Sequence, residues 1–107
     1  MELKKDTISL LQEYMVAKIK ERGFEDESLH ERLLLLTEEV GELAKACRKI
    51  SGMNVGKHSK DHSVGEEVTD VINMVFAVAI KLGVDVEKEF LAKEVKNDAR
   101  HYKKSKK

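Results

Sequence analysis

Two stretches of this chain space their apolar residues in alternating steps of three and four. The first is Leu33, Leu36, Val40, Leu43, Cys47 and Ile50; the second is Val64, Val68, Val71, Val75, Val78 and Leu82. A stripe of that period forms on one side of a helix and must be covered by another helix. The segment 51–65 between them carries Gly52, Gly56 and Gly65 among Ser, Asn, Lys and His, and reads as a flexible loop. A helical hairpin is therefore the centre of the predicted fold.

Flanking signals add two more helices. One is predicted from Thr7 to Arg22, with Asp6 or Thr7 as its cap and Gly23 as its stop, and with Ile8, Leu11, Met15 and Ile19 on one face. The hairpin helices are predicted over 28–50, opened by Ser28 and Glu31 at capping-box spacing, and over 64–82, stopped by Gly83. A fourth begins after an Asp85 cap and runs over 86–102 with Val86, Phe90, Val95, Ala99 and Tyr102, before a basic tail at 103–107. With 107 residues, no proline and 5% aromatics, a single all-α domain is expected. The third helix is apolar almost all round from Val71 to Ile80, more than three neighbours can enclose. The expected architecture is a four-helix-type bundle completed by homo-oligomerisation, as a homodimer or homotetramer.

Lys plus Arg equals Asp plus Glu at 20 each, so global charge points to neither a membrane nor stable nucleic-acid binding. Cys47 is the lone cysteine, so an intrachain disulfide is excluded and a reducing cytoplasm fits. No apolar run approaches the ~20 residues of a membrane span.

The hairpin helices share a second pattern: Glu38-Glu39-Val40-Gly41-Glu42-Leu43 and Glu66-Glu67-Val68-Thr69-Asp70-Val71. In each, two acids stand three positions apart, Glu39 with Glu42 and Glu67 with Asp70, and so share a helix face. Glu39 and Glu67 fall roughly 80° to one side of their apolar seams, and Glu42 and Asp70 roughly 140° to the same side. Antiparallel packing would let the pairs face one another. Four converging carboxylates repel unless a cation joins them, and hard divalent ions, Mg²⁺ above all where phosphates are handled, bind such oxygens. One such pair alone is common chance on a charged helix; two in matched phase are not.

The pattern Glu-Glu-x-x-Glu followed by Glu-x-x-Asp resembles the MazG-like nucleotide pyrophosphohydrolases. These belong to the all-α nucleoside triphosphate pyrophosphatase superfamily, with the dimeric dUTPases and phosphoribosyl-ATP pyrophosphatases. The likeness extends from about Glu38 to Arg100 and includes Gly83-Val84-Asp85 and Lys93-x-x-Lys96-Asn97-x-x-Arg100. It implies hydrolysis of a nucleoside triphosphate between the α- and β-phosphates. Glu39, Glu42, Glu67 and Asp70 would hold Mg²⁺, with Mn²⁺ as a substitute. Glu38 would orient the attacking water or serve a second ion. Lys93, Lys96, Asn97 and Arg100 would contact phosphate or sugar. Tryptophan is absent, so base stacking would fall to Tyr14, Phe24, Phe76, Phe90 or Tyr102.

Other residues weigh less. Glu27-x-x-His30 has the spacing of a di-iron ligand pair but lacks its second copy. His58 and His62 read as solvated loop histidines, and Cys47 as core packing. Lys45 and Lys49 extend the Glu42 face toward phosphates, while i, i+3 pairing with Glu42 explains Lys45 equally well. Asn73, a turn beyond Asp70, is either a site contact or an interface hydrogen bond. The rival to catalysis is a dimeric helical interaction module whose acids only decorate its surface.

Overall fold

The computed structural model describes residues 1–52 and 63–100, and among them only helices form: α1 Thr7–Glu21, α2 Leu29–Ile50, α3 Val64–Lys81 and α4 Val86–Ala99. His58, His62, Tyr102 and the basic tail lie outside the described residues. No described helix is long and apolar enough to cross a membrane.

Local chemistry sets three of the four starts as expected. Ser28 accepts from the Glu31 N–H at 3.1 Å while the Glu31 carboxylate takes the Ser28 N–H at 2.7 Å, a closed capping box. Ser63 caps α3 and Asp85 caps α4 through side-chain acceptance from Glu66 and Lys88. The start of α1 departs from the expectation. Asp6 takes a left-handed φ of 68° and makes no side-chain cap, and Thr7 is already helical. The orphan N–H groups instead go to Glu87 of α4: Ile8 and Ser9 donate to Oε1 at 3.0 Å each, and Asp6 to Oε2 at 3.1 Å. Donation from Ser9 foremost holds the Glu87 carboxyl below its ordinary value. Gln12 ties the same region, donating to Val84 O at 2.8 Å and accepting from Val86 N at 3.0 Å. Gly23 and Gly83 supply the positive φ that ends α1 and α3.

α3 packs mainly on α2 and secondarily on α1, while α4 rests chiefly on α1. Arg32 meets Ala77, and Glu39 meets Glu67 and Asp70, so advance along α2 is retreat along α3 and the pair is antiparallel. The face that joins them is not the apolar seam. α2 buries Arg32 and Ala46 and half-buries Leu35, Glu39 and Glu42; α3 buries Glu67, Phe76 and Ala77. Of the seam positions, Leu33, Val40, Ile50, Val68, Val75 and Leu82 are exposed, while Leu36, Leu43, Val64, Val71 and Val78 are half-buried. Cys47 is exposed too, which corrects its reading as core packing. On α4, Phe90, Leu91 and Val95 are also exposed, and no residue of that helix is buried. The single chain thus forms an open layer of helices, with an acid-bearing groove inside the hairpin and its apolar seams only partly covered.

Candidate metal centre and adjoining cavity

The groove between α2 and α3 is held at one end by an arginine. Arg32 is 2% exposed, and its Nη1 donates to Ala77 O of α3 at 2.7 Å while Nη2 donates to Phe24 O at 3.0 Å. Its Nε faces Glu27 Oε1 at 3.6 Å, an ion pair beyond hydrogen-bond reach. That Nε finds no hydrogen-bond partner. Three elements, α2, α3 and the turn after α1, are pinned together by one guanidinium.

Two turns further along α2 the acids converge. Glu39, Glu67 and Asp70 each offer a carboxylate oxygen, and these atoms lie within 4.8 Å of one another. Glu67 is 1% exposed, so it is no surface decoration. The crowding registers on Glu39, whose pKa is raised by burial, then by the charges of Asp70 and Glu67, a hydrogen bond shared with Asp70, and the more distant charge of Glu42. Carboxylates that push a neighbour toward its neutral form are an electrostatic arrangement a divalent cation would relieve.

Of the other residues singled out in the sequence, Glu42 stands at the edge of this group. It is half-buried and has Lys45 Nζ at 3.9 Å, so the local i, i+3 pairing accounts for Lys45. Glu38 is exposed and outside the converging trio. Lys93, Lys96 and Arg100 are exposed on α4; Asn97 is half-buried and donates to Glu94 Oε2 at 2.8 Å. None of these four lines the cavity beside the acids.

That cavity, about 190 Å³, is bounded by Glu39 and Asp70 on one side. Its apolar walls are Met15 and Ile19 of α1, Phe24 of the following turn, Leu35 of α2, and Met74 and Ala77 of α3. Arg22, Glu27 and Asn73 supply its polar groups. Asn73 is half-buried on this wall. Of the four aromatic candidates among the described residues, only Phe24 lines the cavity; Phe76 is buried, and Tyr14 and Phe90 are exposed elsewhere. Glu27 is occupied with Arg32 and His30 is exposed, so the di-iron spacing has no structural counterpart.

No family model and no curated protein matches the chain. Solved structures do. The crystal structure of iMazG from Vibrio DAT 722 in its Ctag form is similar at 31% identity, covering 92% of this chain and 100% of that one with a TM-score of 0.61. The Ntag form of the same protein matches at 32% identity over 86% of this chain and 98% of that one, TM-score 0.59.

Proposed function

The chain belongs to the MazG-like family, and from that premise we propose that it is a Mg²⁺-dependent nucleoside triphosphate pyrophosphohydrolase, yielding monophosphate and pyrophosphate and clearing unwanted nucleotides. The observation that carries this reading is the meeting of Glu39, Glu67 and Asp70 within 4.8 Å beside a cavity with apolar walls. Hard carboxylate oxygens, one on a fully buried side chain, suit Mg²⁺, with Mn²⁺ as a substitute. Glu39, Glu67 and Asp70 would hold the ion, with Glu42 at the rim. Bound there, it supplies charge neutralisation for the triphosphate and acidifies water for in-line attack.

The remaining work falls to the chain's own groups. Met15, Ile19, Leu35, Met74 and Ala77 would exclude water from a seated base, and Phe24 would lie against its ring. Glu38 would orient the attacking water from the exposed side of α2 or serve a second ion. Lys93, Lys96, Asn97 and Arg100 would contact the phosphates, and since α4 rests on α1 in its own chain, a second subunit is the natural source. With Mg²⁺, chromatography of the products should reveal pyrophosphate and monophosphate from at least one nucleoside triphosphate. Recovery of only orthophosphate and diphosphate would move the attack to the γ-phosphate and end the assignment.

The outward seams support self-association as dimer or tetramer, a second copy covering Val40, Val68, Val75 and Leu82 with its own. Sedimentation at micromolar concentration should give a dimer or larger species, and Val75→Asp should dissociate or unfold it. A wild type that stays monomeric, with a folded Val75→Asp variant, would leave the seams without a partner.

A further inference from the structure

Most of what joins α2 to α3 has no preferred axial position. Burial of Leu35, Ala46, Phe76 and Ala77 is non-directional, and the acids between the helices repel one another. Arg32 differs. Its planar fork fixes where a partner carbonyl must lie, and it gives Nη1 to Ala77 O of α3 and Nη2 to Phe24 O of the turn after α1. A guanidinium is a costly way to fill space: at 2% exposure it is almost wholly desolvated, and its Nε has no hydrogen-bond partner. Arg32 to Glu39 along α2, and Ala77 back to Asp70 along α3, are equal steps of seven residues, about two turns or roughly 10 Å. The register at which Arg32 meets Ala77 is therefore the register at which Glu39 meets Asp70.

We propose that Arg32 is a positioning residue for the metal centre: by fixing α2 against α3 two turns away, it holds Glu39, Glu67 and Asp70 together, against their repulsion, at the spacing Mg²⁺ requires. This deepens the pyrophosphohydrolase reading and rests on its metal site. The clamp gathers the acids as the chain folds, so the ion need not close the hairpin itself. Without the clamp the metal-free helices slide or part, and binding must first restore the register. Mg²⁺ suffers most from that loss. It demands near-octahedral oxygens at about 2.1 Å, whereas Ca²⁺ accepts more ligands at about 2.3–2.6 Å in looser geometry. Arg32 stands outside the converging trio and acts on it only through the two helices.

The test titrates Mg²⁺ and Ca²⁺ separately into wild type, Arg32→Lys, Arg32→Met and Glu87→Ala by calorimetry. Arg32→Lys keeps the charge toward Glu27 but loses the fork; Arg32→Met keeps most of the volume and loses every donor. Glu87→Ala removes the acceptor of three N–H groups at the start of α1 and serves as a destabilised control with its clamp intact. Arg32→Met should weaken Mg²⁺ binding on the order of tenfold and Ca²⁺ binding distinctly less, so the ratio of the two affinities falls. Arg32→Lys should move that ratio the same way by a smaller step. The ratio separates positioning from stability. A variant that is merely less folded loses both affinities by one factor, its folded fraction, and leaves the ratio where it was, as Glu87→Ala should. An unchanged ratio in Arg32→Lys, or an equal shift in Glu87→Ala, would overturn the proposal even if Arg32→Met fails to fold. Wild type that binds neither ion, with a non-hydrolysable triphosphate present, would remove the metal reading and the clamp with it; wild-type binding with an unchanged ratio in the variants removes the clamp alone.

Discussion

Asp70→Asn should abolish turnover while leaving the metal-free protein at least as stable as wild type. The two effects come from one cause. Glu39, Glu67 and Asp70 are forced together by the α2–α3 packing, and without a cation they repel. Removing one charge relieves that repulsion but also replaces an anionic ligand with a neutral amide that binds the ion far more weakly. The wild type should gain in melting temperature from Mg²⁺: at about 100 times its dissociation constant the ion contributes roughly 2.7 kcal/mol, on the order of ten degrees in a domain of this size. The variant should gain far less. If the ion leaves wild type unmoved even with nucleotide present, and Asp70→Asn is clearly less stable, the acids are holding the fold together and the metal reading fails.

The same cluster gives a pH dependence whose sign is fixed. The Glu39 pKa is raised in the fold, by burial first and then by its acidic neighbours. Its contribution to stability is therefore fully present below the ordinary carboxyl value and is lost as pH rises through the folded value. Metal-free protein should lose stability across that window. Glu39→Gln should flatten the profile, and Mg²⁺, competing with the proton, should bind more weakly as pH falls through it. Denaturant titrations of wild type and variant across mildly acidic to neutral pH would expose a profile that did not flatten.

The sequence carried the acid geometry better than the packing. Matched acid phases on two helices predicted the convergence of Glu39 with Glu67 and Asp70, because both lie at fixed angles from the helix axis whatever the neighbours do. The seams were legible as seams, but not which partner they await. Their period says that Leu33, Val40 and Val68 need a covering helix, yet within the chain these three stay exposed. A second stripe was also present: Arg32, Leu35, Glu39, Glu42 and Ala46 repeat the same three-four spacing one position away, and Glu67, Asp70, Met74 and Ala77 match it on α3. Hydrophobicity hides that stripe, since charged residues occupy its key places. Arg32 before four leucines was the available signal: a cation on the same face as two acids belongs to a polar interior more readily than to a surface. The Glu87 cap on α1 had no such signal, because it joins residues at opposite ends of the chain and depends on where α4 docks.

Arg32→Ala should be the most damaging single substitution in the hairpin, costing about 3 kcal/mol or more, a large share of the stability of a domain this small. The two carbonyls would not be stranded: Phe24 O also accepts the Glu27 N–H at 3.2 Å, and Ala77 O lies within a helix. What is lost is the packing of a side chain only 2% exposed and the positive charge that faces Glu27. The second loss adds to the first, since the Glu27 carboxylate, with 24% of its side chain exposed, would be left without the cation that faces it. Arg32→Met isolates it by restoring most of the volume without the charge. Adding Glu27→Gln to that variant should then recover part of the loss, so the double substitution is less damaging than the sum of the singles. Urea unfolding at one protein concentration measures all four species, a precaution needed because self-association would contribute to stability. Strict additivity, or an Arg32→Met variant within about 0.5 kcal/mol of wild type, would show that the guanidinium only fills space and that Glu27 is positioned by the backbone turn alone.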